Sequence, residues 1–379
     1  MKNNLHIYPF YEWACPMLYF IILTQKCNLT CKYCGNQPNP DIEPIEPTYN
    51  IKTLKNFIQK DPEPIIAFYG GEPLLKISLM EKIIDQIPAK HYVLQTNGTF
   101  LHKLKPKYLH KLDTILVSID GRKETTEYYR GKNTYDSIIK NVKTIQEREY
   151  KGDLIARMAV SEKTNIYEDV KHLIELKNPK FNHVHWQLDV QWDSPPYQRY
   201  KNFDEWAKKY NEGIAKLIKY WIQKMEKEGK VLGIVPFIGI MKTLLNNEET
   251  ELRCGAGINA FTITTSGRII ACPIAPEFEW NNVGDIWNSK PKDLPYKVTI
   301  EEPCPTCDIY SICGGRCLFA NKTKLWGIQG FKKICNITKH LIHQLEKTKP
   351  TIKKLIKKGI INQEEFNYPP YNNTTEIIP

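Results

Sequence analysis

The placement of its cysteines constrains this chain of 379 residues more than any other feature. Of the 11 cysteines, four lie within residues 15–34, none between 35 and 253, and seven between 254 and 335. Disulfide frameworks are typical of small secreted domains, whereas this chain is large and shows no leading signal peptide. We therefore expect both groups of cysteines to be metal or cluster ligands in a reducing compartment, the cytoplasm.

The composition narrows the class of protein further. Hydrophobic residues make up 41% of the chain and charged residues 25%, which is typical of folded proteins and excludes disordered or collagen-like ones. The formal charge of +11 is explained by a lysine-rich surface, and no arginine-rich tract or nucleic-acid-binding motif accompanies it. The apolar runs are too short to cross a membrane. We expect neither a nucleic-acid partner nor a membrane-bound protein.

Short β-rich runs alternate with amphipathic stretches over the first 240 residues. The predicted strands are Met17–Thr24, Pro64–Tyr69, His91–Gln95, Thr114–Ile119, Leu154–Val160 and His183–Val190. The predicted helices are Ile51–Lys60, Leu75–Ile87, Pro106–Lys111, Tyr135–Arg148, Tyr167–Lys177 and Phe203–Glu228. Strands separated by helices indicate parallel βαβ units with right-handed crossovers. Six such units predict an α/β fold with a partial (β/α)6 barrel of the TIM type.

The pattern changes at Cys254, where a small cysteine-rich domain begins. Two short strands around a Ser266–Gly267 turn predict a β-hairpin, because glycine supplies the backbone freedom of such a turn. Helices are predicted at about 333–347 and 352–358. The expected domains are the barrel (1–235), a bridging segment (236–253), the cysteine-rich domain (254–346) and a C-terminal tail (347–379).

The first cysteine group directly follows the first predicted strand. Cys27, Cys31 and Cys34 have the spacing C-x3-C-x2-C, with three thiols and no fourth nearby. A structural zinc site uses four ligands, whereas three thiolates on an iron–sulfur cubane leave one iron open to another molecule. The loop also follows the carboxyl end of a strand, where parallel α/β folds bind ligands. The cluster is favoured, and zinc is the alternative.

This loop, with Tyr33 at its aromatic position, resembles the hallmark loop of the radical S-adenosylmethionine (SAM) superfamily. The resemblance implies that Cys27, Cys31 and Cys34 hold a [4Fe–4S] cluster whose open iron is chelated by SAM. It also implies that SAM is contacted mainly from successive strand ends, by Tyr33, Gly70, Gly71, Glu72, Gln95, Asn97, Ser118, Asp120 and Arg157. By this resemblance, the backbone carbonyls of the glycines and the side chain of Glu72 would bind the amino group of SAM. Ser118 would lie near the ribose of SAM, and Arg157 would pair with its carboxylate.

The second cysteine group resembles the SPASM domain of peptide-modifying radical SAM enzymes. That resemblance implies a closed [4Fe–4S] cluster on Cys304, Cys307, Cys313 and Cys335, and another cluster on Cys254, Cys272 and Cys317. The second set has three thiolates, so its fourth position is either open to substrate or filled by a non-cysteine or distant residue. Cys15 could reach it, although a buried core thiol is the favoured interpretation. A zinc ribbon would explain Cys304 and Cys307 alone.

Polar and apolar residues alternate strictly over 183–193, as in a strand with two different faces. The polar face consists of His183, His185, Gln187, Asp189, Gln191 and Asp193. We expect it to line the barrel lumen, with His185, Gln187 and Asp189 as candidates for substrate binding or proton transfer. The alternative is an edge strand that faces water.

The resemblance implies reductive cleavage of SAM to a 5′-deoxyadenosyl radical, which abstracts a hydrogen atom from a peptide or protein. Cofactors would be SAM and three [4Fe–4S] clusters, of which the two auxiliary ones take up electrons or bind substrate. A low-potential donor such as ferredoxin or flavodoxin would supply the electron. The alternatives are an oxidoreductase acting on a small molecule or haem-type precursor, and a non-catalytic electron carrier.

Overall fold

A single sheet of nine strands organises residues 16–34, 38–189 and 200–369, which a computed structural model of the chain describes. The strands are β1 (Leu18–Ile22), β2 (Ile65–Tyr69), β3 (His91–Thr96), β4 (Thr114–Ser118), β5 (Asp153–Val160), β6 (His183–Leu188), β7 (Ala260–Ile263), β8 (Arg268–Ile270) and β9 (Asn282–Asp285). Their spatial order is β6-β5-β4-β3-β2-β1-β7-β8-β9, and the first six are parallel. The fold is therefore the predicted α/β barrel type.

Helices connect the strands and cover the outer face of the sheet. They are α1 (Ile51–Ile58), α2 (Ile77–Gln86), α3 (Pro106–Leu109), α4 (Lys123–Arg130), α5 (Thr134–Glu147), α6 (Ile166–Glu175), α7 (Phe203–Glu228), α8 (Val235–Asn246), α9 (Tyr310–Cys313), α10 (Leu318–Thr323) and α11 (Gly327–Lys357). Asparagine side chains cap the amino ends of α1, α6 and α7 by accepting backbone N–H groups. None of these helices is both long and apolar enough to cross a membrane.

The predicted hairpin is confirmed, and it also extends the barrel sheet. β7 pairs in parallel with β1, with Leu18 opposite Ala260, and then turns through Gly267 into antiparallel β8. Gly267 has φ +86°, which glycine adopts without steric cost. The sheet thus runs without a break from the barrel into the cysteine-rich part, while the expected domain limits stay predictions.

Two helical predictions differ from the structure. The helices predicted at 333–347 and 352–358 are one helix, α11, which continues through Pro350. Proline removes one backbone donor, but Leu345 and Ile352 on either side of it are buried and hold the helix to the core. Helix α4 was not predicted, because its sequence KETTEYYR is strongly polar and contains no aliphatic residue.

Candidate functional site

The register of the strands places the predicted site residues on one face of the sheet. Ser118 on β4 lies opposite Arg157 on β5, which lies opposite His185 on β6. Directly paired residues project to the same side, and Gln187 follows His185 by two positions. The other face of β6 packs on helices, since Trp186 donates to the Tyr210 hydroxyl of α7 at 2.9 Å. These four residues therefore face the barrel lumen.

The two glycines after β2 allow the cysteine loop to lie against the sheet. The N–H of Gly71 donates to the carbonyl of Thr24 at 2.9 Å, and that of Glu72 donates to Lys26 at 2.8 Å. A Cβ atom on Gly70 would lie 2.4 Å from the Thr24 carbonyl oxygen, and one on Gly71 would lie 2.2 Å from that of Lys26. Only glycine fits at either position, so the motif fixes the loop that carries Cys27, Cys31 and Cys34.

The carboxylate of Glu72 joins the carboxyl ends of β2 and β3. It is fully buried and accepts the Asn97 N–H at 2.7 Å, the Thr96 hydroxyl at 2.7 Å and the Leu74 N–H at 3.0 Å. Burial raises the pKa of Glu72 to about 6, against the lowering effect of these bonds. The predicted contact between Glu72 and the SAM amino group stays a prediction.

Asn97 connects the end of β3 to the cysteine loop. Its side-chain amide donates to Asn28 at 2.8 Å and lies 3.8 Å from the sulfur of Cys27. Its side-chain oxygen accepts the N–H and the hydroxyl of Thr99, at 3.0 and 2.6 Å. Asn97 therefore contacts the loop directly, in addition to the SAM contact predicted for it.

A buried ion pair holds the other side of the cysteine loop. Asp120, after β4, accepts Nε and Nη2 of Arg130 at 2.8 and 2.9 Å, and the hydroxyl of Tyr33 at 2.7 Å. Burial acts to lower the pKa of Arg130, but the charge of Asp120 beside it raises that pKa overall. The Tyr33 ring also lies 5.3 Å from that of Tyr129. Arg130 was not predicted as a site residue, because it lies on helix α4, which was not predicted either.

Gln95 offers a free acceptor in the lumen. Val93 on β3 is paired with Thr114 on β4. Gln95 lies two positions after Val93, and Ser118 lies four positions after Thr114, so both side chains project to the same face of the sheet. Its side chain is 9% exposed, and its Oε1 has no hydrogen-bond partner among the described residues. Buried polar atoms in proteins are rarely left unsatisfied, so this oxygen is suited to a ligand donor.

The structure brings together Arg157 and Gln187, from two different predicted sets. Nη2 of Arg157 donates to Oε1 of Gln187. His185, 2% exposed, is the lumen neighbour of Arg157, and Asp189 is 3% exposed. Because these two side chains are buried, they do not belong to an edge strand that faces water. The chain after α7 covers β6, since the Val184 N–H donates to the carbonyl of Gly233 at 2.7 Å.

The polar face of β6 is divided between different partners. Nδ1 of His183 lies 2.7 Å from the carboxylate of Asp153, and its ring packs on Tyr368 with centroids 5.0 Å apart. His183 therefore has a structural role near the start of β6. Gln191 and Asp193 lie outside the described residues.

The four thiols predicted to form a closed set line one cavity. Cys304, Cys307, Cys313 and Cys335 line a cavity of about 40 Å³, and Cys317 also contributes to its wall. Burial raises the pKa of Cys304 to about 11 and that of Cys313 to about 12. The charges of Cys304 and Cys335 add to the increase at Cys313, whereas the charge of Arg316 opposes it. The four sulfurs are therefore close enough to interact.

The remaining predicted ligands are less directly connected. Cys272 is buried, and the half-buried Tyr69 at the end of β2 is close enough to interact with it. Burial raises the pKa of Tyr69, and the ionisable groups around it are Arg157, which opposes the increase, and the thiols of Cys34 and Cys272. Tyr69 therefore lies between the cysteine loop and the second cysteine group. Cys254 is half-buried, and Cys15 lies outside the described residues.

Residues 21–176 match the family model of the Radical SAM superfamily. The chain contains a radical SAM domain. Among sequence relatives, the radical SAM cyclopropyl synthase TigE of Paramaledivibacter caminithermalis is 21% identical over 86% of this chain and 73% of its own length. An uncharacterised protein of Methanocaldococcus jannaschii is 36% identical over 26% of this chain. A pterin dimethyltransferase of the same organism is 33% identical over 33% of it. The chain spans only 37% and 27% of these last two relatives.

Solved structures show that the fold likeness extends beyond the radical SAM domain. Native anSMEcpe with bound AdoMet has a TM-score of 0.67 at 18% identity, covering 89% of this chain and 100% of that one. SuiB of Streptococcus suis bound to the precursor peptide SuiA has a TM-score of 0.54 at 16% identity, covering 82% and 73%. Both comparisons cover most of the chain, including residues after the parallel strands.

The radical SAM family uses SAM and a [4Fe–4S] cluster, and the residues of this domain fit both. Three thiols lie on the fixed loop, a free acceptor lies at Gln95, and the guanidinium of Arg157 lies in the lumen. Within the described residues, no three histidine, cysteine or carboxylate side chains converge as ligands of one metal ion. A cluster differs from such a site, because each thiolate binds a different iron and inorganic sulfide bridges the irons, so the cysteines need not converge on one atom.

Proposed function

We propose that this chain is a radical SAM enzyme that modifies a peptide or protein, with auxiliary iron–sulfur clusters in its C-terminal part. The observation that carries the proposal is the cavity lined by Cys304, Cys307, Cys313 and Cys335. An all-sulfur donor set of four is the ligand set of a closed [4Fe–4S] cluster. It lies in the chain that follows β7, which joins the barrel sheet at β1.

In this proposal the barrel binds SAM at the carboxyl ends of its strands. Cys27, Cys31 and Cys34 would hold the SAM-binding cluster, and together the two groups would supply a 5′-deoxyadenosyl radical. Arg157 is a charged donor suited to the SAM carboxylate, and Gln187 holds its guanidinium in place. Gln95 offers an acceptor to a bound donor.

The substrate would enter the lumen between the cysteine loop and β6. His185 and Asp189 are buried there, and each can bind a polar substrate group or move a proton. Tyr69 lies between this space and Cys272. Cys254, Cys272 and Cys317 would hold the second auxiliary cluster, with its fourth position open to substrate or to another ligand.

The peptide substrate is favoured by the relatives whose fold extends over most of this chain. SuiB has been solved with its precursor peptide, and anSMEcpe with a peptide named Cp18Cys. The pterin dimethyltransferase, a small-molecule enzyme, matches only a third of the chain. A small-molecule or haem-type substrate remains the second candidate. Ferredoxin or flavodoxin is the proposed electron donor.

Two reciprocal variants test the cluster assignment. Reconstituted full-length protein should contain about twelve irons per chain if three [4Fe–4S] clusters are present. Replacing Cys27, Cys31 and Cys34 with alanine should remove about four irons and abolish SAM cleavage. Replacing Cys335 should remove the closed cluster, while uncoupled SAM cleavage persists. A wild-type content of about four irons would contradict the auxiliary clusters.

The substrate class is tested by co-expression with candidate peptides encoded beside this gene. Mass spectrometry should show a peptide product whose mass changes only when the three loop cysteines are intact. Turnover of small-molecule precursors, with every peptide unchanged, would instead support the second candidate.

A further inference from the structure

Three successive residues between Cys313 and Cys317 have left-handed backbones. Gly314, Gly315 and Arg316 have φ of +68°, +88° and +50°. Glycine adopts such values freely, but arginine rarely does. A Cβ atom on Gly314 would lie 1.9 Å from the carbonyl oxygen of Glu251, so the turn is packed tightly against the neighbouring chain. A side chain kept at an unfavourable backbone position is a reason to look for its function.

The side chain of Arg316 lies inside the thiol cavity. It is 6% exposed and lines the same cavity as Cys304, Cys307, Cys313 and Cys335. The guanidinium keeps its positive charge in proteins. A buried positive charge is costly unless a negative group compensates it. A cluster held by these four thiolates would place negative charge beside the guanidinium of Arg316.

A second arginine, from another segment, lies beside Cys313 without lining the cavity. Nε of Arg253 donates to the carbonyl of Ile312 at 2.7 Å, and its Nη2 donates to the hydroxyl of Thr243 at 3.0 Å. Ile312 directly precedes Cys313. In the sequence, Arg253 and Arg316 each directly precede a cysteine that is a proposed ligand of the three-thiolate cluster. In the structure, however, both place their positive charge beside Cys313 of the closed set.

These positions have an electrostatic consequence. Reduction adds one negative charge to an iron–sulfur cluster, so a fixed positive charge nearby stabilises the reduced form. Arg316 and most of the residues that line the cavity are buried, so solvent screens this charge little. Lys339 also lines the cavity, but it is half-exposed and paired with Asp308. The closed cluster would therefore be reduced more easily than the same cluster on the same four thiolates without the arginines.

We propose that Arg316, assisted by Arg253, raises the reduction potential of the closed auxiliary cluster, so that an electron arriving from the lumen is held there. Arg316 acts through the cluster and does not touch the substrate. This inference rests on the proposed function, because it requires a cluster on Cys304, Cys307, Cys313 and Cys335.

The test is a redox titration of full-length reconstituted protein, followed by electron paramagnetic resonance. The signal of the closed cluster is first assigned by its loss in C335A. In R316Q, the ratio of reduced to oxidised closed cluster at fixed potential should fall about tenfold, which corresponds to about 59 mV for one electron. R316K, which keeps the charge, should change the ratio much less. R316G removes the charge and relieves the backbone, and should match R316Q.

The matched control is R148Q, which removes an arginine that donates to Leu104 at the outside of the barrel. Its titration should superimpose on that of the wild type. An unchanged potential in R316Q and R316G would overturn the inference. So would loss of the closed cluster from both variants, because Arg316 would then hold the cluster together. Absence of this cluster from the wild-type protein would instead overturn the proposed function.

Discussion

Arg130 and Asp120 form a two-bond ion pair inside the barrel, with Nε–Oδ2 and Nη2–Oδ1 distances of 2.8 and 2.9 Å. Asp120 is fully buried and also accepts the Tyr33 hydroxyl, which lies on the cysteine loop. The pair therefore connects helix α4, the end of β4 and the loop that carries the proposed cluster ligands. Removing either partner would leave the other buried without compensation.

We expect D120N to lower the free energy of unfolding by about 3 kcal/mol, because Arg130 would remain charged and buried. Urea-induced unfolding measures this change. The control is D136N, which removes an exposed carboxylate paired with Lys123 and should change the unfolding free energy much less. Equal effects of D120N and D136N would contradict the role of the buried pair.

We expect G71A to lose the SAM-binding cluster, because the added Cβ would lie 2.2 Å from the backbone oxygen of Lys26. The cysteine loop would have to move away from β2. Reconstituted G71A should contain about four fewer irons than the wild type and should not cleave SAM. The control is G359A, at a glycine with no atoms near its Cβ position, which should retain its iron. Full iron content in G71A would show that the loop can shift without losing its ligands.

The ionisation of Glu72 should make stability depend on pH. Burial raises its pKa from 4.5 to about 6, so the folded protein binds this proton more tightly than the unfolded chain does. Unfolding free energy should therefore fall as pH rises through this window, by about 2 kcal/mol from this group. The measurement is the difference between wild type and E72Q, which does not titrate, from pH 4 to 7 in cluster-free protein. A difference that is constant with pH would exclude a raised pKa.

We expect Q187A to weaken SAM binding about tenfold, because a hydrogen bond to a charged group contributes about 1.5 kcal/mol and this one orients Arg157. Equilibrium binding of SAM to reconstituted protein measures the loss. The control is Q146A, which removes a surface glutamine bonded to the carbonyl of Lys180 and should leave binding unchanged. Unaltered SAM affinity in Q187A would mean that Arg157 is oriented by other groups or does not bind SAM.

The sequence predicted the parallel strands and the lumen face of β6, since periodicity reports which side of a strand is buried. Trp186 faces helix α7 and His185 faces the lumen, as the alternation indicated. The resemblance to the SPASM domain also grouped the four thiols that line one cavity. The strand pattern is a local property of the sequence, and the four thiols belong to a motif whose ligands occur in a fixed order. Both could therefore be predicted without the structure.

What the sequence could not predict depends on contacts between distant segments. Arg130 looks like one more charge on a polar helix until the fold places it beside Asp120. Arg316 looks like a surface arginine until the cavity closes around it. The pairing of Leu18 with Ala260 joins strands more than 200 residues apart, and neither carries a signal for the other.

That pairing has a consequence for any attempt to divide the protein. β7 covers the backbone N–H and C=O groups along one side of β1, which the barrel strands leave open. A chain ending before residue 254 would expose this edge, and exposed edges of apolar strands recruit strands from other molecules. The barrel expressed alone should therefore self-associate, and the hairpin protects the enzyme against aggregation.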